Sequence, residues 1–128
     1  MSVRNTNQQN AIRRVLEEAG RPLCPNEILV AARINIPRLG PATVYRGILR
    51  LLQDDCILRV QLPGRPDRYE WAGSDVHHHH FFCRTCEKLF DVNACLGGIE
   101  KLAPHGFQAE SHDLLIRGLC PSCQGRES

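Results

Sequence analysis

Two Cys-x-x-Cys pairs, Cys83/Cys86 and Cys120/Cys123, stand in this 128-residue chain with 33 residues between them. Two-residue spacing lets one turn present both sulfurs to one ion, so two such pairs complete a tetrahedron of four thiolates around zinc. A site of that kind has no open position and is structural. The competing readings are four free thiols or a thioredoxin-like redox dithiol. Two pairs, each at the end of an expected strand, favour zinc. A chain this short buries little surface, and a structural metal relieves that shortage. Seven cysteines are an odd count, which suits a zinc protein of a reducing compartment better than a disulfide framework. Of the three lone cysteines, Cys56 lies in an apolar context and is assigned to the core, while Cys24 and Cys95 have no evident role.

Immediately before the first pair comes His77-His78-His79-His80, followed by Phe81 and Phe82. In an extended segment side chains alternate between faces. His77 and His79 therefore point one way and His78 and His80 the other, offering two imidazole pairs to two different sites. The run is internal and flanked by strand-forming residues, unlike a terminal affinity tag. Imidazole suits zinc, ferrous iron, nickel or copper, and carboxylates complete such sites. The candidate acids are Glu70, Asp75, Asp91 and Glu100, and His112 offers a further imidazole. His105, in a Pro-His-Gly turn, reads as surface.

The N-terminal half is helical by its periodicity. Thr6 or Asn7 caps a helix over residues 6–19 with Ile12, Val15, Leu16 and Ala19 on one face, and Gly20 stops it. Pro25 or Asn26 opens a second short helix, and residues 35–41 form a loop by their Pro and Gly content. A third helix is expected from Ala42 to Asp54, with Val44, Ile48, Leu51 and Leu52 as its buried stripe and Thr43, Tyr45, Arg46 and Arg50 off it. Strands at 57–62 and 68–71 around the turn 63–67 make a hairpin. Three helices and a hairpin are the order of a winged helix-turn-helix, whose third helix enters the major groove while the wing rides on the phosphates. Arg65 at the wing tip and Arg68 beside it suit phosphates; Tyr45 and Arg46 suit bases or phosphates. Residues 1–70 carry 11 Lys/Arg against 7 Asp/Glu, and residues 71–128 carry 5 against 7, so the basic half faces an anion such as DNA.

The small polar stretch at residues 73–76 reads as a hinge between a domain at 1–72 and another at 77–128. The second is expected to be a small α/β unit. It would have strands at His77–Phe82 and Lys88–Val92, a short helix at Leu96–Ala103 weakened by Gly97 and Gly98, and a long strand at Phe107–Leu119. There is no 18-residue apolar run, and the polar N-terminus is not a signal peptide, so a soluble cytoplasmic protein without a membrane partner is expected.

Taken together, Thr43-Val44-Tyr45-Arg46, Tyr69-Glu70, the run from His77 through Cys86, and Gly118-Leu119-Cys120-x-x-Cys123 resemble the ferric uptake regulator (Fur) family over nearly the whole chain. The resemblance implies an α+β protein with an N-terminal winged helix-turn-helix domain and a C-terminal dimerisation domain. It implies a homodimeric, metal-dependent repressor that binds a palindromic double-stranded DNA operator and controls metal-uptake or homeostasis genes. An enzyme with a small-molecule substrate is not expected. Cys83, Cys86, Cys120 and Cys123 match the family's structural zinc site. Glu70, His78, His80 and Asp91 match its regulatory site. His77, His79 and His112 match a second site, to which the family adds an acid. Tyr45 and Arg46 match DNA contacts, and Thr43, Arg50 and Arg65 are added to them as candidates.

The sequence departs from the family at three places. A further histidine ligand expected just before the second helix is replaced by Pro22-Leu23-Cys24, which leaves the regulatory site one ligand short or gives it Cys24 as the substitute. The acid of the second site falls on Gly98, with Glu100 the nearest carboxylate. An arginine common at the start of the first helix is Asn10. The regulatory ion implied is zinc or ferrous iron, with manganese a third option. A rival within the family is an iron- or manganese-loaded peroxide sensor. A rival outside it, a metal-trafficking or thiol-disulfide protein, leaves Thr43–Arg46 and the wing without a purpose.

Overall fold

The structure, a computed structural model, describes residues 3–72, 79–92 and 97–125. The chain divides into two compact units, residues 1–75 and 76–128. The expected hinge at 73–76, together with His77, His78 and Cys95, lies outside the described residues.

In the first unit α1 spans Val3–Ala19, α2 Pro25–Ala32 and α3 Pro41–Gln53; β1 (Ile57–Val60) and β2 (Arg68–Trp71) then form an antiparallel hairpin. The first helix begins upstream of the Thr6 and Asn7 expected to cap it, so both are helical residues rather than caps. Its end is as expected: Gly20 takes φ +66, a left-handed conformation that glycine enters without strain. α2 and α3 each have proline in the first turn, where the missing N–H is not needed. The core gathers the apolar faces of all three helices: Ile12 and Leu16 of α1, Ile28, Leu29 and Ala32 of α2, and Val44, Ile48 and Leu51 of α3. Leu39, Ile57 and Tyr69 close it. Leu52 and Cys56 pack at its edge, only partly buried. A bridge between Leu23 and Tyr69 ties the start of α2 to the wing, with both backbone hydrogen bonds at 2.8 Å.

Two local devices fix the helices. The Cys24 N–H donates to Glu27 Oε1 at 3.1 Å, and Arg21 Nη2 donates to Glu27 Oε2 at 2.6 Å, so one carboxylate caps α2 and holds the preceding turn. Gly47, inside α3, is there for contact. A Cβ at this position would lie 2.6 Å from Ile12 Cδ1 and 3.1 Å from Gln9 Oε1, so glycine lets α3 lie close against α1.

In the second unit β3 (His79–Cys83) is central, with β4 (Leu89–Val92) antiparallel on one side and β5 (Leu115–Gly118) parallel on the other. A single 3₁₀ turn, Ile99–Leu102, and a one-turn helix α4, Pro121–Gln124, complete it. Two expectations are corrected here. The helix expected over residues 96–103 is only that 3₁₀ turn, entered through Gly98 at φ +88, a conformation outside the α-helical region. The strand expected over 107–119 is limited to Leu115–Gly118, which pairs with His80–Cys83 of β3. Among the described residues of this unit the fully buried apolar side chains other than cysteine are Phe82 and Leu89. The rest of its buried centre is Cys83, Cys120 and Cys123, with Cys86, Phe90 and Leu119 packed around them.

Gly47→Ala should destabilise the protein by about 1 kcal/mol: overpacking against buried Ile12 costs about 1–3 kcal/mol, partly offset by about 1 kcal/mol of helix propensity. Urea unfolding of the two proteins measures it. Glu27 gives a pH signature. Burial works to raise its pKa, but the Arg21 and Cys24 hydrogen bonds outweigh it and hold the carboxyl below its ordinary range. A depressed carboxylate stabilises the fold above its ordinary pKa and loses that contribution as pH falls through the folded value. Glu27→Gln should therefore lower stability by about 1 kcal/mol at neutral pH, a modest figure because the ion pair is partly in water. The difference between the two proteins should shrink as pH falls below the ordinary carboxylate range and through the lowered folded value.

Candidate metal centres and nucleic-acid interface

Cys83 ends β3, Cys86 follows one turn later, and Cys120 and Cys123 flank the start and body of α4. The four sulfurs all lie within 4.8 Å of one another. Sulfurs about 2.3 Å from a central zinc form a tetrahedron with edges of about 3.8 Å. The Cys86–Cys120 edge is 3.8 Å, far longer than the S–S bond of about 2.05 Å in a disulfide. The donor set therefore fits a zinc ion in size and in chemistry.

The protonation states make the same point. The backbone N–H groups of Cys120 and Cys86 point at Cys83 Sγ, the first at 3.4 Å, and bring its pKa down to about 6. Burial drives the neighbours the other way: Cys86 is raised, and Cys123, also crowded by the other three sulfurs, is pushed up to about 12. Cys83 is prepared as an anion while Cys86 and Cys123 are held as thiols. A cation at the centre removes that conflict by compensating every thiolate at once.

Across β3 and β4, His80 and Asp91 are register partners, and His80 Nε2 lies 3.4 Å from Asp91 Oδ1. Adjacent strands thus aim one imidazole and one carboxylate at the same space, a mixed nitrogen–oxygen pair. Glu70 lies on β2, opposite Leu58 in the hairpin. On the other face of β3, His79 is buried and stacks on His112 with ring centroids 5.0 Å apart and planes at 28°. The Leu114 N–H donates to His79 Nδ1 at 3.2 Å, which puts the neutral ring's proton on Nε2. Glu100 sits exposed on the 3₁₀ turn. Among the described residues it does not join His79 and His112 in a cluster with ligand atoms within 4.8 Å of one another.

On the first unit, Tyr45, Arg46 and Arg50 lie on the exposed face of α3, and Thr43 accepts a hydrogen bond from Arg46 Nη2 at 3.2 Å. Arg65 is exposed in the wing turn, where its N–H donates to Leu62 O at 3.2 Å. Sequence reasoning missed Arg59 on β1. It is exposed beside the same face of α3 and pairs with Asp67 across the hairpin at 3.6 Å. Its place in an apolar-rich strand was the available signal.

Residues 1–117 match the ferric uptake regulator family. This chain belongs to that family. It is 32% identical to the peroxide-responsive repressor PerR of Staphylococcus saprophyticus over 97% of its own length and 84% of that protein's. Its fold is similar to that of the Helicobacter pylori ferric uptake regulator, a structure described as having three functional metal-binding sites. There the TM-score is 0.71 at 26% identity, covering 94% of this chain and 81% of the other. The zinc uptake regulator FurB of M. tuberculosis is similar over 96% of this chain and 97% of its own, with a TM-score of 0.55 and 28% identity. The Fur family comprises transcriptional regulators rather than enzymes, so this chain is a metal-responsive transcriptional regulator. No helix among the described residues is long and apolar enough to cross a membrane.

Cys123→Ser should abolish retention of one zinc per chain, measured by elemental analysis after gel filtration in the presence of a weak chelator. The same variant should show a broadened, less cooperative thermal transition, because the second unit loses the ion at its centre.

Proposed function

We propose that this Fur-family chain is a repressor that binds a palindromic operator as a homodimer when a regulatory divalent metal, zinc or ferrous iron, is bound. The structural zinc sits among Cys83, Cys86, Cys120 and Cys123. The regulatory ion is held by Glu70, His78, His80 and Asp91, with Cys24 in place of the family's additional histidine. Thr43, Tyr45, Arg46, Arg50 and Arg65 contact DNA. The observation that carries the reading is the His80–Asp91 pair at 3.4 Å, two ligand atoms of the kind that bind iron, manganese or zinc reversibly.

Glu70 belongs to the winged helix, while His78, His80 and Asp91 belong to the second unit. One ion bound by all four ties the units together, and its binding free energy selects the arrangement that binds it best. Two recognition helices held one helical turn of DNA apart then fit the two half-sites. Loss of the ion frees them, and the target genes are expressed. The homodimer is supported by β5, an edge strand with half-exposed Leu114 and Ile116 beside it. A second site drawing on His77, His79, Glu100 and His112 requires His79 to give up its Leu114 hydrogen bond, so it should fill after the first.

The test is a titration of the chelator-treated full chain with zinc, ferrous iron and manganese separately, against a duplex carrying its own promoter, at fixed salt because phosphate contacts are salt-sensitive. One metal should raise affinity by about tenfold or more, a coupling of about 1.4 kcal/mol. His80→Ala should abolish that gain while leaving one zinc in the four-cysteine site. Metal-dependent binding that survives His80→Ala overturns the assignment. The likeness to a peroxide-responsive repressor favours a second reading, in which bound iron or manganese reports peroxide. One added oxygen on His78 or His80 after mild peroxide, with release of the duplex, selects it.

A further inference from the structure

The exposed face of α3 is divided lengthwise. At 100° per residue, Ala42, Tyr45 and Leu49 fall along one side of the exposed arc and Arg46, Gln53 and Arg50 along the other. All six are exposed; Tyr45 is 52% and Leu49 42% exposed. Leu49 also lines, with Arg46, Arg50 and Arg59, an open hollow of about 770 Å³. An isolated exposed leucine is ordinary on a protein surface. This one stands a single turn from Tyr45, on the arc a recognition helix turns toward DNA, inside a group of three guanidinium ions that can hold phosphates around it.

A leucine offers no hydrogen bond, so the discrimination it supplies in a major groove is apolar. Thymine presents a C5-methyl group there. Cytosine presents an amino donor, and guanine and adenine present N7 acceptors. Packing Leu49 against thymine removes two apolar groups from water. Packing it against any other base leaves a polar edge without its water. We propose that Leu49 is a specificity-determining residue that packs on the C5-methyl group of one thymine in each half-site, while Arg46, Arg50 and Arg59 set the helix on the phosphates. This rests on the DNA-binding reading above.

The experiment selects duplexes from a random library with the metal-loaded full chain, using zinc, ferrous iron (without oxygen) and manganese in turn. Each invariant thymine of the recovered sequence is then replaced by deoxyuridine, which deletes only the methyl group. For the wild-type chain, one replacement in a single half-site should weaken binding by about fourfold, as expected for one methyl group returned to water. Leu49→Ala, which removes the contact from both half-sites, should bind the thymine duplex more weakly by about fifteenfold and should be indifferent to deoxyuridine at that position. Leu49→Met, which keeps an apolar side chain of similar volume, should restore the methyl dependence. A recovered sequence with no invariant thymine overturns the proposal. So does an equal response of wild-type and Leu49→Ala chains at every thymine, even though DNA binding would then stand. Enrichment of no sequence with any of the three metals overturns the DNA-binding reading and this inference with it.

Discussion

The second unit has a centre made of thiols. Cys83, Cys120 and Cys123 are buried against one another, and apart from them only Phe82 and Leu89 are fully buried among its described apolar side chains. Two such side chains contribute about 2–3 kcal/mol each, whereas a structural zinc contributes on the order of 10 kcal/mol or more. A zinc ion held by these four sulfurs would outweigh conventional packing in this half of the molecule. The strand order follows from that requirement. β3 delivers Cys83, the turn into β4 delivers Cys86, and β5 must return parallel beside β3 so that α4 brings Cys120 and Cys123 to the same end.

Once β3 is fixed at its cysteine end, its histidines have no freedom of face. Period-two alternation places His80 toward Asp91 of β4 and His79 toward His112. A slip of one residue would exchange the two sets. The four-sulfur cluster thus sets the register on which the imidazole pairs depend, even though it takes no part in binding the second kind of ion. The hydrogen bond from Leu114 to His79 tightens the same register from the β5 side.

Much of this was legible in the sequence because it follows from short-range rules. Cysteine spacing, strand alternation and the α3 stripe of Val44, Ile48 and Leu51 each need only a local period, and each is found in the structure. What was not legible depends on partners distant in sequence. β5 covers only Leu115–Gly118, the residues that pair with His80–Cys83 of β3, and nothing local in residues 107–119 marks that extent. The 3₁₀ turn at Ile99–Leu102 replaces a helix because Gly98 adopts a left-handed conformation that nothing in an apolar pattern announces. Gly47 looks like a weak point in a helix until Ile12 and Gln9 are seen against it. Arg59 looks like an ordinary strand residue until the hairpin sets it beside α3.

The two kinds of donor set also divide the labour between permanence and response. Four sulfurs within 4.8 Å of one another, three of them buried, leave no open coordination position. An ion there leaves only if the surrounding fold opens. The His80–Asp91 pair is different: its side chains are 15% and 16% exposed, its atoms are nitrogen and oxygen, and it lies across two strands rather than enclosed by a turn and a helix. Donors of that hardness suit several divalent ions, with affinities that rise along the Irving–Williams order, and their partial exposure leaves a path for exchange with solvent. A sensor needs both properties in one unit, a part whose shape does not follow the ion supply and a part whose occupancy does. The first must be the tighter, or the scaffold would dissolve at the very metal concentration to be reported. A soft thiolate at one end of β3 and, three residues back, a harder imidazole facing the Asp91 carboxylate of β4 meet that condition with two ligand chemistries side by side.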